Sequence, residues 1–168
     1  MSDDEQSFTG WAAARQHALL RSAYLLTLDN GRAEDLVQEA LVKVAGRWGR
    51  LRDQQPEAYA RQVIYRDNVS WWRRHRRERL TDAPPERAVT GTGQLAESRL
   101  MLRAALGRLT ERQRAVLVMR YFDDLSEAET ARLLGVAVGT VKNQTHAALR
   151  RLRECAPELA LLLGEMSS

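Results

Sequence analysis

Residues 125–152 carry the pattern that most constrains the fold of this chain. They read LSEAETARLLGVAVGTVKNQTHAALRRL, and a small residue, Ala131, stands where two crossing helices must approach closely. Gly135 follows at the turn, where a positive φ angle is needed, and Val141 supplies the apolar residue that pins the second helix. This spacing predicts a helix-turn-helix, whose second helix can place its first turns in a DNA major groove.

The ends and the outer face of this motif are consistent with that prediction. Ser126 is the predicted N-cap of the first helix, and Glu129 completes a capping box three residues later. The polar residues of the second helix that we expect near DNA are Thr140, Lys142, Asn143, Gln144 and His146. The alternative is an ordinary helical hairpin in a bundle. The constrained positions, the cap and the polar face together favour the DNA-binding motif.

Composition narrows the class of protein. The chain has 168 residues, a net charge of +4 and 44% hydrophobic residues, enough for a packed core. Its basic residues are 24 Arg and only 2 Lys. Arginine suits phosphate and guanine because its planar group donates two parallel hydrogen bonds, although abundant arginine is also typical of GC-rich genomes. The position of the arginines therefore matters more than their number.

Several site classes are not expected. Cys155 is the only cysteine, which excludes an internal disulfide and a thiolate zinc site, and the three histidines have no ligand spacing. We therefore expect neither a metal nor a cofactor. No apolar run has membrane-spanning length, and the acidic start MSDDEQS does not resemble a signal peptide. These features predict a cytoplasmic protein without membrane insertion.

Helical periodicity runs through almost the whole chain, so we predict an all-α fold of two small helical domains joined by a flexible linker. The interruption is LTDAPPERAVTGTGQLA, which holds two prolines and two glycines. The predicted divisions are a first domain at 8–79, the linker at 80–96, a second domain at 97–155 and a C-terminal tail at 156–168. The predicted helices before the helix-turn-helix are 11–28, 32–48, 56–79, 97–109 and 111–122, and Thr110 is the predicted N-cap of the last of them. The sequence leaves open whether the apolar tail packs or lies loose.

The end of the helix predicted for 56–79 is strongly basic. It reads SWWRRHRRER, with five arginines beside Trp71 and Trp72. A solvated helix end would account for one or two of these cations, because positive charge suits a helix C-terminus. Five of them beside tryptophans favour contact with a nucleic-acid backbone. We expect one of the two tryptophans to be buried and the other to pack at the edge.

A second candidate surface lies on the helix predicted for 32–48. Four residues share one of its faces at i, i+3, i+4 and i+7, namely Asp35, Gln38, Glu39 and Val42. Taken by itself this pattern indicates a solvated acidic helix face.

The residues resemble a known family at three places. EDLVQEALVKV (Glu34–Val44) is similar to the polymerase-docking helix of sigma domain 2, and Pro56–Arg77 is similar to the segment that reads the −10 promoter element. The rear unit, ending GVAVGTVKNQTHAALRRLR, resembles sigma domain 4, which reads the −35 element. The order of the units and the short linker resemble bacterial extracytoplasmic-function (ECF) sigma factors, and the SWWRR run resembles an actinobacterial SigE-like subgroup.

The resemblance implies roles for these residues. Asp35, Gln38, Glu39 and Val42 would dock on the coiled coil of the polymerase β′ subunit, and the β flap would be a further contact. The loop Gly46–Gln55 would capture an unstacked base of the −10 strand. The helix after it would contact the same element through Tyr65, Arg66, Ser70, Arg73, Arg74 and Arg77. The −35 element would be contacted by Thr140, Lys142, Asn143 and His146, with backbone contacts from Arg150 and Arg151.

The implied function is that of a promoter-specificity subunit of RNA polymerase, which binds core polymerase and promoter DNA and is not an enzyme. The resemblance leaves an anti-sigma factor open as a further partner. One alternative is a stand-alone helix-turn-helix regulator that binds duplex DNA without polymerase. Another is an anti-anti-sigma mimic that titrates an inhibitor, although such a mimic need not keep arginines that contact DNA. No nucleophile or phosphate-loop pattern supports an enzyme.

Overall fold

The computed structural model describes residues 2–75 and 93–166, apart from the side chains of Leu95 and Met166. Every regular element in these ranges is a helix, which confirms the all-α prediction. Contacts within the chain divide it into two compact units, residues 1–73 and 74–168. The helices of the first unit are α1 (Asp3–Thr27), α2 (Asn30–Ala45), α3 (Trp48–Leu51) and α4 (Pro56–His75).

Helix α1 begins eight residues earlier than its predicted start at residue 11. Ser2 caps it, because the Ser2 hydroxyl accepts from the Glu5 backbone N–H at 3.2 Å and the Glu5 carboxylate accepts from the Ser2 N–H at 2.9 Å. Asp3, Asp4 and Glu5 add negative charge to the first turn, where it complements the helix dipole. The cap and these charges explain a helical start that apolar periodicity did not reveal.

The turn between α1 and α2 is shorter than the gap left between the helices predicted for 11–28 and 32–48. Leu28 adopts the left-handed conformation in this turn, with φ 54°. Asp29 then caps α2 by accepting from the Arg32 N–H at 2.9 Å, so Asn30 is already helical. Helix α2 ends at Ala45 instead of continuing to residue 48, and α3 begins as a separate short helix at Trp48.

The core of the first unit lies between α1, α2 and α4. Its fully buried large side chains are Leu19, Leu26, Val37, Val44 and Ile64. Ala23, Ala40 and Ala60 are also fully buried, and such small residues allow helices to approach closely. This core holds the outer faces of α2 and α4 in place.

The helices of the second unit are α5 (Gln94–Gly107), α6 (Glu111–Leu117), α7 (Glu127–Leu134), α8 (Val138–Cys155) and α9 (Pro157–Met166). Helix α5 starts three residues before the predicted Glu97, after Gly93 with φ 96°. Thr110 caps α6 as predicted, accepting from the Gln113 N–H at 3.2 Å. The segment Val118–Phe122 continues α6 as a π-helical turn.

The core of the second unit includes the C-terminal tail. Helix α9 packs on α8 and buries Ala160 and Leu163, so the described part of the tail is folded. Leu106, Leu117 and Leu152 are fully buried, and their burial fixes α8 from its inner side. Of the predicted linker, only residues 93–96 lie within the described ranges.

Candidate functional site

The outer face of α2 carries the four residues predicted from their spacing, and all four are exposed: Asp35, Gln38, Glu39 and Val42. Val42 keeps 65% of its surface accessible. The opposite face of α2 is buried in the first-unit core. The exposed face therefore combines two carboxylates, an amide and an apolar side chain, which suits a basic partner that also offers some apolar surface.

Lys43 links this face to α4. Its Nζ lies 3.0 Å from Asp67 Oδ2 and 3.7 Å from Glu39 Oε1. The hydrogen bond to Asp67 is the main cause that raises the pKa of Lys43 above its ordinary value, while partial burial opposes it. Lys43 thus links α2 to α4 and partly neutralises the negative charge of Glu39. Among the described residues Asp35 has no ion-pair partner, so its charge remains available to a binding partner.

Helix α4 presents a basic, polar face. Arg66, Ser70, Arg73 and Arg74 are exposed and lie at i, i+4, i+7 and i+8, on one side of the helix. Tyr65 is different, because only 2% of its surface is accessible and its hydroxyl is buried. The prediction that Tyr65 contacts DNA is therefore wrong for this structure. Arg77 lies outside the described residues.

A stacked arginine connects the start of α2 to the same part of α4. The guanidinium carbon of Arg32 lies 3.4 Å from the ring centroid of Trp71, and Arg32 Nη2 donates to Asn68 Oδ1 at 2.5 Å. Asn68 is buried, whereas Trp71 and Trp72 are both half-buried. The prediction that one of these two tryptophans is buried is wrong. Trp71 packs against the charged guanidinium of Arg32 instead of apolar core side chains, and it stays half-buried.

The segment Gly46–Gln55, predicted as a loop, contains the short helix α3 and is anchored to its surroundings. Trp48 is buried, and Arg47 Nη1 donates to the Tyr59 hydroxyl at 2.7 Å. Its outer side is solvent-accessible at Gly49, Arg50, Gln54 and Gln55. We call this segment the 46–55 loop. Its fixed base and exposed polar residues could hold an unstacked base.

The helix-turn-helix is formed by α7 and α8. Ser126 caps α7 as predicted, with its N–H donating to Glu129 Oε2 at 2.8 Å and its Oγ accepting from the Glu129 N–H at 3.1 Å. Gly135 has φ 67°, and Val141 is fully buried. Ala131 is also buried, as the close crossing requires. The capping bonds from Ser126, first of all from its backbone N–H, lower the pKa of Glu129.

The outer side of α8 is polar and accessible. Lys142, Asn143 and His146 are exposed near its start, and Thr140 is half-buried. Arg150 and Arg151 are exposed further along the helix, and Arg151 Nη1 lies 3.8 Å from Glu154 Oε2. Lysine and arginine side chains, an amide and an imidazole therefore lie along the side of α8 that is not packed. This chemistry suits phosphates and base edges.

Metal-ligand clusters are absent from the part of the chain that the structure describes. Residues 2–75 and 93–166 contain no group of three or more His, Cys, Asp or Glu side chains that could hold a metal ion. Within the same ranges, the helices are too short or too polar to cross a bilayer.

Comparison with known proteins identifies the two units. The family described as Sigma-70 region 2 matches residues 11–78, and the family described as Sigma-70, region 4 matches residues 99–152. The two matches together cover most of the chain. The chain belongs to the sigma-70 family. Its relatives are RNA polymerase sigma factors, which are transcription initiation factors and not enzymes.

The curated relatives place this sigma factor in the ECF group. It is 40% identical to the RNA polymerase sigma-E factor of Streptomyces avermitilis, over 88% of this chain and 83% of that protein. It is 33% identical to the ECF RNA polymerase sigma factor SigL of Mycobacterium tuberculosis, over 89% of this chain and 96% of that protein. Such a subunit directs core RNA polymerase to promoter DNA, and no relative supports the alternative of a stand-alone regulator.

Solved structures show the same fold at lower identity. One is the sigma factor RpoE in complex with the anti-sigma factor NepR from Bartonella quintana, with a TM-score of 0.63 and 23% identity, covering 90% of this chain and 97% of that one. Another is CnrH in complex with the cytosolic domain of CnrY, with a TM-score of 0.57 and 22% identity, covering 89% and 87%.

Sequence patterns missed several residues that shape the surfaces of this sigma factor. Arg32 and Asn68 are 36 positions apart, and Lys43 and Asp67 are 24 apart, so no local spacing connects them. Trp48 was also missed. An isolated tryptophan beside glycines was its only signal, and only its burial among other aromatic rings shows its role.

Proposed function

We propose that the exposed face of α2 docks this sigma factor on the coiled coil of the polymerase β′ subunit, and that the second unit contacts the β flap. The observation that supports this most is the exposed arrangement of Asp35, Gln38, Glu39 and Val42 within the matched region 2. Carboxylates pair well with arginine in a partner, and Val42 adds apolar contact area at the edge of the same face.

We propose further that α4 and the 46–55 loop read the −10 element as a single strand. The exposed arginines of α4 would hold the backbone, while the loop would hold a base that has left the stack. Separating base pairs costs about 1.4 kcal/mol per step, and capture of unstacked bases offsets part of that cost. Because Tyr65 is buried, Arg66 and Ser70 are the first residues of α4 assigned to this contact. Arg77 retains its predicted role in holding the backbone.

The −35 element would be read as duplex DNA by α8. Lys142, Asn143 and His146 would reach base edges in the major groove, with Thr140 beside them. Arg150 and Arg151 would contact phosphates and so set the register of the helix without reading sequence.

Two further assignments follow from the sigma-factor function and remain proposals. The protein would act in the cytoplasm, where it meets RNA polymerase. The solved RpoE and CnrH structures each contain a second protein. We therefore expect that an anti-sigma factor could also bind this chain, and co-purification from the native host is the test.

The central experiment is transcription with purified core polymerase. The Asp35→Arg/Glu39→Arg variant should lose run-off transcription and co-elution with core, because both substitutions reverse charge on the docking face. The matched control is Glu158→Arg/Glu165→Arg, which makes the same change in charge at exposed positions of α9. Circular dichroism should show unchanged helix content in both variants. Undiminished co-elution of the α2 variant would exclude this face as the docking surface.

A further inference from the structure

One stripe of α1 contacts the 46–55 loop. Asp4, Phe8 and Trp11 lie at i, i+4 and i+7, which places them on the same side of the helix. The stripe continues to Arg15, whose Nε lies 3.4 Å from Glu57 Oε2 at the start of α4. The first turns of α1 therefore follow the base of the loop and then reach α4.

Three aromatic rings make the first of these contacts. Trp48, the first residue of α3, is buried against Phe8 and Trp11, with ring-centroid distances of 5.5 Å and 5.4 Å. Phe8 and Trp11 are themselves 6.1 Å apart. The indole Nε1 of Trp48 is buried and, among the described residues, has no hydrogen-bond partner. Ring packing therefore fixes Trp48, with no hydrogen bond from its indole nitrogen.

An ion pair makes the second contact. Arg52, near the end of the loop, pairs with Asp4 in the first turn of α1, and its Nε lies 3.5 Å from Asp53 Oδ2. On the other side of the loop, Arg47 lies over the Tyr59 ring of α4, with its guanidinium carbon 5.3 Å from the centroid. The loop is thus held from α1 at Trp48 and Arg52 and from α4 at Arg47.

We propose that Asp4, Phe8 and Trp11 are positioning residues for the 46–55 loop, which keep it in the conformation that captures a −10 base. A loop fixed before binding loses less conformational entropy when the base enters, so affinity and discrimination both gain. Asp4 and Phe8 precede residue 11, where the region 2 match begins. The inference rests on the proposed role of the loop.

The test measures discrimination, which is the ratio of the affinities for cognate and substituted −10 sequences. A residue that only stabilises the fold would not change this ratio. Holoenzyme made with the full chain is titrated with premelted promoter fragments, one cognate and others with single −10 base substitutions. Asp4→Asn should reduce the ratio of these affinities by up to about fivefold, as expected for a surface ion pair. Phe8→Leu should reduce it by roughly twofold to tenfold, as expected when an aromatic pair is removed. Affinity for core polymerase should not change.

Asp3→Asn is the matched control, since it removes the same charge from the same helical turn at an exposed position. Its discrimination should equal that of the unmodified protein. The charge exchange Asp4→Arg/Arg52→Asp should recover discrimination that each single substitution loses, which tests the pair even if Phe8→Leu folds poorly. Discrimination in Asp4→Asn and Phe8→Leu equal to that in Asp3→Asn would overturn the inference.

A second pair of variants separates this inference from the proposed function. Arg50→Ala and Gln54→Ala change exposed loop residues that do not belong to the α1 contacts. If they reduce discrimination while the Asp4 and Phe8 variants do not, the loop captures the base and only the positioning role is wrong. If neither loop variant changes discrimination, the base-capture role itself is wrong, and the positioning role is overturned with it.

Discussion

Lys142 Nζ lies 3.8 Å from Glu127 Oε2, which connects the start of α8 to the first turn of α7. Both side chains are partly exposed, at 58% and 36%. The lysine proposed to reach a base edge therefore has an acidic partner within the same motif. The proposed contact with DNA would exchange this partner for a base or a phosphate.

The first prediction follows from that exchange. Glu127→Gln should strengthen binding to a −35 duplex by up to about fivefold, because an exposed ion pair contributes at most about 1 kcal/mol and DNA binding would no longer have to break it. Fluorescence anisotropy with labelled duplex would measure the change. The gain should disappear in a Lys142→Ala background. A gain of equal size there would mean that Glu127 acts on the DNA directly.

The second prediction concerns sequence reading by α8. Lys142→Ala and Asn143→Ala should each cost about 1–3 kcal/mol on the cognate promoter, because lysine donates to guanine and asparagine pairs with adenine in the major groove. The cost should nearly vanish on DNA with a scrambled −35 element. Arg151→Ala serves as the comparison. It should weaken binding to both DNAs alike, because an arginine that contacts phosphate adds affinity without reading sequence. Equal costs on both DNAs for the Lys142 and Asn143 variants would show that α8 positions the protein without reading the promoter.

The third prediction concerns the basic end of α4. Replacing Arg73, Arg74 and Arg77 with Ala should reduce the slope of log K against log salt concentration by about 0.7 for each single-strand phosphate that the variant no longer neutralises. Promoter binding by holoenzyme between low and moderate salt gives the slope. Arg21→Ala, an exposed arginine of α1, is the control and should leave the slope unchanged. An unaltered slope in the triple variant would reduce the cluster to a solvated helix end.

The fourth prediction concerns the pH dependence of the α7 cap. Hydrogen bonds from Ser126 lower the pKa of Glu129 from its ordinary value of 4.5. A carboxyl whose pKa is lower in the folded state stabilises that state above the unfolded pKa and loses this effect as pH falls through the folded value. The Ser126 amide chemical shift should therefore titrate with a midpoint below 4.5. Glu129→Gln keeps an amide oxygen for the cap and should show no such titration. A midpoint at or above the ordinary value would contradict the capping assignment.

Several structural features that depend on residues close together in the sequence were predicted correctly, and features that depend on distant residues were not. The caps at Thr110 and Ser126 and the positive φ of Gly135 depend on residues within one or two helical turns, and all three were predicted correctly. Tyr65 and the tryptophan pair were mispredicted, because which side of α4 is buried depends on how α1 and α2 pack against it. The early start of α1 was missed because its polar first turn has no apolar period.

The sequence by itself determined the helical class, the helix-turn-helix and the family, because local caps, helical periodicity and motif spacing are recorded in neighbouring residues. Only the tertiary structure decided that Arg32 stacks on Trp71, that Lys43 joins Asp67, and that α1 supports the 46–55 loop through Trp48. These contacts join residues that are tens of positions apart. Their geometry depends on how the packed core orients each helix, and that orientation is a property of the whole unit and not of any single segment.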